Sequence, residues 1–153
     1  MDDYDRRILA LLQHDASLSV GDVADRIALS RTACWRRIQQ LEQSGVIRAR
    51  VALLDPARLG LSLTTYILIR TNQHTEQWSQ RFSELLAGIP EVLEAHRMSG
   101  DVDYLLKAVV TDMAGYDRLY RKLIAAELFD VSSGFVMETL KTTTELPLDT
   151  LSR

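Results

Sequence analysis

The chain has 153 residues, 46% of them hydrophobic and 25% charged, a globular composition that excludes a disordered tail or a fibre and fits one ordinary domain or two small ones. Its longest uncharged run, residues 59–69, is too short and too hydroxylated to span a bilayer, so no membrane partner is expected. The formal net charge of −3 hides an asymmetry: residues 31–50 hold five arginines against Glu42 alone, a local +4 on an otherwise acidic chain. Such a basic stretch is the footprint of a phosphate-contacting element, with a merely solvated helix face as the alternative.

The amino terminus is acidic and lacks an apolar stretch, so no secretory signal is expected. The single cysteine, Cys34, leaves no intramolecular disulfide and suits a reducing cytoplasm. In chain order, a first helix is predicted from Asp3 to His14, with Tyr4, Ile8, Leu9, Leu11 and Leu12 as its apolar stripe. Ser19 caps a short second helix, with Asp22 as capping-box partner and Val23, Ala24 and Ile27 inward. It stops at Ala28-Leu29. Ser30 caps a third helix from Arg31 to about Ser44, with Cys34, Ile38 and Leu41 inside and Arg31, Thr32, Trp35, Arg36 and Gln39 outside, ended by Gly45.

Two short helices joined by a tight turn, the second basic outside and apolar inside, form a helix-turn-helix pattern. A helix fits the major groove, and its capped end points backbone N–H groups and arginines at phosphates and base edges. Arg48-Ala49-Arg50 would follow as a small phosphate-gripping wing.

Residues 48–60 read as a connector with some strand character. The period then changes from helical to alternating. Leu61–Thr71 is a predicted strand, Thr75–Ala87 a helix with Trp78, Phe82 and Leu85 inward, and Val92–Met98 a second strand. Ser99-Gly100-Asp101 makes a tight hairpin turn into a third strand, Val102–Thr111. Asp112 caps a helix with the stripe Met113, Tyr116, Tyr120, Leu123 and Ile124. Val131–Thr142 is a fourth strand, and residues 143–153 a loose tail.

The expected class is therefore α+β: a winged helix-turn-helix domain (1–47), a linker (48–60) and a ferredoxin-like βαββαβ domain (61–142). With both helices on one sheet face, the other needs cover. Tyr66, Leu68 and Val136 give it apolar material, which predicts a sheet-to-sheet homodimer.

On these residues the chain resembles the Lrp/AsnC (feast/famine) family of transcription regulators over nearly its full length. Asp5-Arg6 with Ile8-Leu9 looks like the family's opening helix. Leu29-Ser30, Cys34, Arg37-Ile38, Leu41-Glu42, Gly45 and Ile47 match its recognition-helix signature. Ser99-Gly100-Asp101-Val102-Asp103-Tyr104-Leu105-Leu106 matches the glycine-aspartate turn of its ligand-sensing domain, the most specific motif of the three. Two positions depart from the family pattern: Arg31 stands where proline is usual, and Ala28 where glycine is frequent.

The resemblance implies DNA-reading heads flanking a dimer core, assembly into a tetramer of dimers, and amino-acid effectors held between dimers. There the glycine-aspartate turn of one dimer would meet the last strand of its neighbour. Val51-Ala52-Leu53-Leu54-Asp55-Pro56, Trp78, Pro90-Glu91-Val92-Leu93, Lys141, Thr143-Thr144 and Leu146-Pro147 look most like the branch that senses cysteine and switches on its desulfidation.

Ser30, Arg31, Thr32, Trp35, Arg36, Gln39, Arg48 and Arg50 are the candidate contacts to double-stranded DNA. Arg37, adjacent to Arg36, cannot share its face; it is read as a tie to Glu42 or a neighbouring element. Trp35 either stacks on a sugar or thymine methyl, or packs under the wing. Cys34, on the apolar side, is a core residue.

Met98, Gly100, Asp101, Asp103 and Tyr104, with Ser132, Ser133 and Gly134 across the dimers, are the candidate effector site. The aspartates would hold an ammonium, and the N–H groups around Gly100 a carboxylate. The plainer reading gives Gly100 only the hairpin and Asp101 only its own turn. His14, His74 and His96 lack ligand spacing, so no metal or other cofactor is expected. No activated nucleophile or phosphate loop argues for an enzyme. The function read is a sequence-specific DNA-binding regulator tuned by a small amino acid. The competing reading is a metabolite-binding or enzymatic ferredoxin-like module with helices used only for assembly.

Overall fold

The computed structural model describes residues 1–150. The described chain divides into two compact units, residues 1–53 with 141–150, and residues 54–140.

The first unit is built on α1 (Asp3–His14), α2 (Val20–Ile27) and α3 (Arg31–Gln43). Each begins where the sequence supplies a cap. Asp2 and Asp5 form a reciprocal box at α1, Ser19 and Asp22 another at α2, and the Ser30 hydroxyl accepts the Ala33 N–H at 3.2 Å. The three helices bury one cluster: Ile8 and Leu12 from α1, Val23, Ala24 and Ile27 from α2, and Cys34, Ile38 and Leu41 from α3. Burial pushes the Cys34 thiol up from its ordinary range, as suits a packing residue rather than a redox switch.

The turn between α2 and α3 passes through Ala28 at φ 57° and ψ 46°. This left-handed conformation costs a β-carbon roughly 1–2 kcal/mol, a cost that glycine would not carry. The C′ residue of α3, Gly45, has φ +75°.

Residues 48–60 enter no strand, so the strand character expected for them is absent. Asp55 instead accepts the Ala57 N–H at 3.0 Å and starts a single 3₁₀ turn, Ala57–Leu59.

The second unit comprises β1 (Leu63–Arg70), α4 (Glu76–Ala87), β2 (Val92–Arg97), β3 (Tyr104–Val110), α5 (Met113–Ile124) and β4 (Asp130–Phe135). The sheet is antiparallel throughout, in the order β2-β3-β1-β4, which is the ferredoxin-like topology. Alternation sends Ile67, Ile69, Leu106, Ala108 and Val110 to one face, where Trp78 and Phe82 of α4 and Leu119 and Leu123 of α5 cover them. The opposite face carries Tyr66 and Leu68, 40% and 37% exposed, with Lys107 bonded to Glu94 at 2.9 Å.

The structure departs from the sequence reading in several places, and β1 and β3 are each shorter at both ends than expected. The buried row of α5 is Gly115, Leu119 and Leu123, while Met113 and Ile124 are exposed. The reason is Gly115, where an added β-carbon would lie 3.0 Å from Thr111 Oγ1 and 3.3 Å from Val110 Cβ, so the helix settles on the sheet through its glycine. β4 ends at Phe135 rather than Thr142, because Phe135 pairs with Thr65 and Val136 bonds Thr64, leaving only the start of β1 to pair with. The turn between β2 and β3 spans residues 98–103, closed by the Met98 N–H donating to the Asp103 carbonyl at 2.8 Å. The C-terminal segment, read as a loose tail, makes defined hydrogen bonds to α1.

Arg37 ties α3 to α1. Its Nη1 sits 2.8 Å from both Asp2 and Asp5, and its guanidinium lies 5.4 Å from the centre of the Tyr4 ring. The Asp2 carboxyl is held below its usual value by the Asp5 backbone N–H and then by Arg37. A lowered folded pKa gives stability that is present above the unfolded value and lost as pH falls through the folded one. Arg37→Ala should therefore lower the melting temperature at neutral pH. Melting curves taken down the acid range should show the gap to the parent narrowing as Asp2 protonates.

A candidate nucleic-acid interface and a candidate effector turn

Because Cys34, Ile38 and Leu41 are turned into the core, the helical period turns Arg31, Thr32, Trp35 and Arg36 outward together. Trp35 is 54% exposed, an unusual position for a large aromatic. Arg36 is exposed and has no ion pair among the described residues. Arg31 lies across the first turn of α2, where a β-carbon on Gly21 would sit 3.3 Å from its Nε.

Ser30 caps the helix with its side chain, so its hydroxyl is already engaged. Gln39 is half-buried and donates to Glu42 at 3.0 Å, and Arg50 meets the other oxygen of Glu42 at 3.0 Å. These three side chains tie α3 to the segment that follows it, while Arg48 is exposed with no ion pair among the described residues. The outward set is thus Arg31, Thr32, Trp35, Arg36 and Arg48, with Gln39 and Arg50 linked to Glu42. Sequence reasoning missed Asp2, Tyr4 and Asp5 as the groups that draw Arg37 inward; only the acidic character of the first turn pointed to them.

In the second unit, Gly100 has φ +105°, a conformation that favours glycine, and nothing lies within 4 Å of where its β-carbon would be. Asp101 is exposed and has no hydrogen-bond partner among the described residues. Asp103 is different: its Oδ2 accepts the Thr71 N–H at 2.8 Å, and its Oδ1 lies 3.9 Å from His74 Nδ1. Tyr104 bonds Ser79 at 2.9 Å and packs on Trp78 and Phe82. Asp103 and Tyr104 edge a cavity of about 260 Å³ that also takes in His74, Ser79 and Arg97. His74 and Arg97 were not read from sequence, although Arg97 is the cross-strand partner of Tyr104 and alternation alone would have found it. Met98, 43% exposed, follows directly.

On β4, Ser132 and Gly134 are exposed on the open sheet face, whereas Ser133 faces α5 and accepts the Tyr116 hydroxyl at 2.7 Å. The turn and these residues are separated by β1, so one copy of the chain does not bring them into a single pocket.

A capped helix with a basic outer face, joined to a ferredoxin-like sheet unit with a glycine-aspartate turn, defines a two-part DNA-binding regulator. Residues 1–48 match the winged helix-turn-helix DNA-binding domain, and residues 64–146 match the Lrp/AsnC ligand binding domain. The glutamate uptake regulatory protein of Zymomonas mobilis is 48% identical over 149 residues, covering 97% of this chain and 91% of its own. The crystal structure of an AsnC family transcriptional regulator from Agrobacterium tumefaciens superposes with a TM-score of 0.93 at 55% identity, covering 97% and 98% of the two chains. The transcriptional regulator NMB0573 of Neisseria meningitidis, in complex with L-Met, gives 0.91 at 33% identity and 97% coverage of each. The chain belongs to the Lrp/AsnC family of DNA-binding transcriptional regulators, and its relatives are regulators rather than enzymes.

If the outer face of α3 meets a duplex, Arg36→Ala should weaken binding to a selected operator by roughly 1–3 kcal/mol. Arg48→Ala should weaken all duplexes alike and make the salt dependence shallower by about one in the log–log slope. Titrations at several salt concentrations check both; a variant that binds every duplex like the parent would show that this face does not read DNA.

Proposed function

We propose that this regulator reads DNA through the outer face of α3 and is tuned by a small amino acid held at the glycine-aspartate turn. The observation that carries the first half is the outward set on a helix whose inner stripe is fully packed. Arg31, Thr32, Trp35 and Arg36 would reach base edges. The Ser30-capped helix start, Arg48 and Arg50 would hold backbone phosphate, and Gln39 would stand behind them. The regulator would act in the cytoplasm.

For the second half, the free carboxylate of Asp101 suits an ammonium group, and the open backbone around Gly100 suits a carboxylate. Met98 would cover the apolar part of the ligand. Asp103 and Tyr104 build the turn from below, and Ser132 and Gly134 of a neighbouring dimer would close it, with Ser133 keeping their strand in place. The L-Met complex of the Neisseria relative supports an amino acid as the ligand class. Cysteine is the first amino acid to try, on the branch residues quoted above. Ligand bound between dimers would shift their packing and with it the spacing of the reading helices.

The assembly unit proposed is a homodimer joined through the open sheet face at Tyr66, Leu68 and Val136, with four dimers in the full particle. Exposed apolar side chains on a strand face flanked by the Glu94–Lys107 pair support this surface. Leu68→Glu should convert the dimer to a monomer in sedimentation at micromolar concentration; a parent already monomeric there would end the dimer reading.

For the effector, melting temperature measured against each of the twenty amino acids should rise with at least one, by roughly what ligand excess over its dissociation constant gives. Asp101→Ala should abolish that rise without lowering the unliganded melting point, because Asp101 has no hydrogen-bond or ion-pair partner among the described residues. Asp103→Ala is the poorer probe, since it also removes the cap on Thr71. No rise with any amino acid would remove the sensor half of the proposal.

A further inference from the structure

Residues 141–150 continue from the end of the second unit into the first and dock on α1. Gln13 is bonded twice by one residue: its Nε2 donates to the Leu146 carbonyl at 3.1 Å, and its Oε1 accepts the Leu146 N–H at 2.9 Å. A side-chain amide thus takes the place a neighbouring backbone would take on a strand edge. The next residue repeats the contact in charge, with His14 Nδ1 2.8 Å from the Glu145 carboxylate. Leu146 and Leu148 then form one wall of an apolar cleft of about 500 Å³. Leu9 and Leu12 of α1 form its floor, and Ile47 to Val51 its far wall.

That far wall contains Arg48 and Arg50, and little else fixes it. The Ile47 N–H donates to the Leu41 carbonyl at 3.0 Å, but from Arg48 to Val51 no backbone N–H donates to another backbone group among the described residues. Arg50 has its Glu42 contact, and Arg48 has no ion pair among the described residues. Two arginines on an unladdered segment lose orientational freedom when they bind phosphate, and a docked wall opposite them removes part of that cost beforehand.

We infer that residues 141–150 are an intrachain strap, docked through Gln13 and His14, which closes the cleft and positions Arg48 and Arg50 for phosphate. The inference rests on the DNA-binding reading. It makes Gln13, Glu145 and Leu146 positioning residues: none of them contacts the duplex, yet each affects how well the arginines do.

The test uses the full chain carrying Gln13→Ala with Glu145→Ala, and separately Leu146→Ala, titrated with one duplex at several salt concentrations. With the strap released, affinity at moderate salt should fall about fivefold to tenfold, and the log–log salt slope should become shallower by about one to two as the arginines stop displacing counterions. A loss of affinity with an unchanged slope would mean that the tail only stabilises α1, and would overturn the inference. So would an unchanged affinity. Hydrogen exchange at the Ile47 amide separates this from a failure of the DNA reading. If the parent binds no duplex in a salt-dependent way, the DNA reading fails. Protection at Ile47 that is equal in parent and variants means the strap fixes nothing. Milder variants, Glu145→Gln and Gln13→Asn, keep the comparison open if the double variant does not fold.

Discussion

The inner stripe of α3 is the constraint from which the outward face of that helix follows. Cys34, Ile38 and Leu41 are spaced so that one side of the helix must enter the cluster made by Ile8, Leu12, Val23, Ala24 and Ile27. A helix has no freedom left once that side is chosen. The neighbouring arginines make the point: Arg37 falls toward α1 and is claimed by Asp2 and Asp5, while Arg36, one residue earlier and 100° around the axis, faces out with no ion pair among the described residues. Sorting adjacent arginines into a structural and a solvent-facing role needs no more than the packing of three apolar side chains.

The sheet unit works by the same kind of partition with a period of two. β1 is central, paired with β3 on one side and β4 on the other, so its alternation sets both faces of the layer. Ile67 and Ile69 gather the helices, and Tyr66 and Leu68 are left for something else to cover. The glycine-aspartate turn leads into the start of β3, where Asp103 bonds Thr71 just past the end of β1. One aspartate of the turn is thereby committed to architecture and the other is left free, although the two are only two residues apart.

Most of the fold was legible because the governing interactions are local. The bounds of α1 follow from its apolar stripe, and the starts of α2 and α3 from Ser19 and Ser30, whose side chains bond N–H groups three residues away. The inner faces of α3, α4 and β1 follow from apolar spacing. What was missed depends on contacts distant in sequence. The stripe of α5 is shifted because Gly115 lets the helix approach Thr111 and Val110, and a glycine carries no hydropathy signal to announce that. β4 stops where β1 runs out, although its own residues would continue a strand. The tail is polar enough to read as loose, and only the amide of Gln13, more than a hundred residues away, gives it a place. In the candidate sites the residue types were legible, but the division between Asp101 and Asp103, or between Ser132 and Ser133, required the hydrogen-bond partners.

The polypeptide passes between its two units twice, near residue 54 and again near residue 141. A proteolytic nick in the first crossing would therefore cut the covalent link between the three helices and the sheet unit without removing their contact to that fragment: the piece carrying the sheet would still hold the segment that grips α1. Conversely, a gene fragment cut at residue 53 would encode three helices with one side missing. Dissecting such a protein into separately expressed parts calls for a fused or co-expressed tail, because here the boundary in sequence and the boundary in space are not the same.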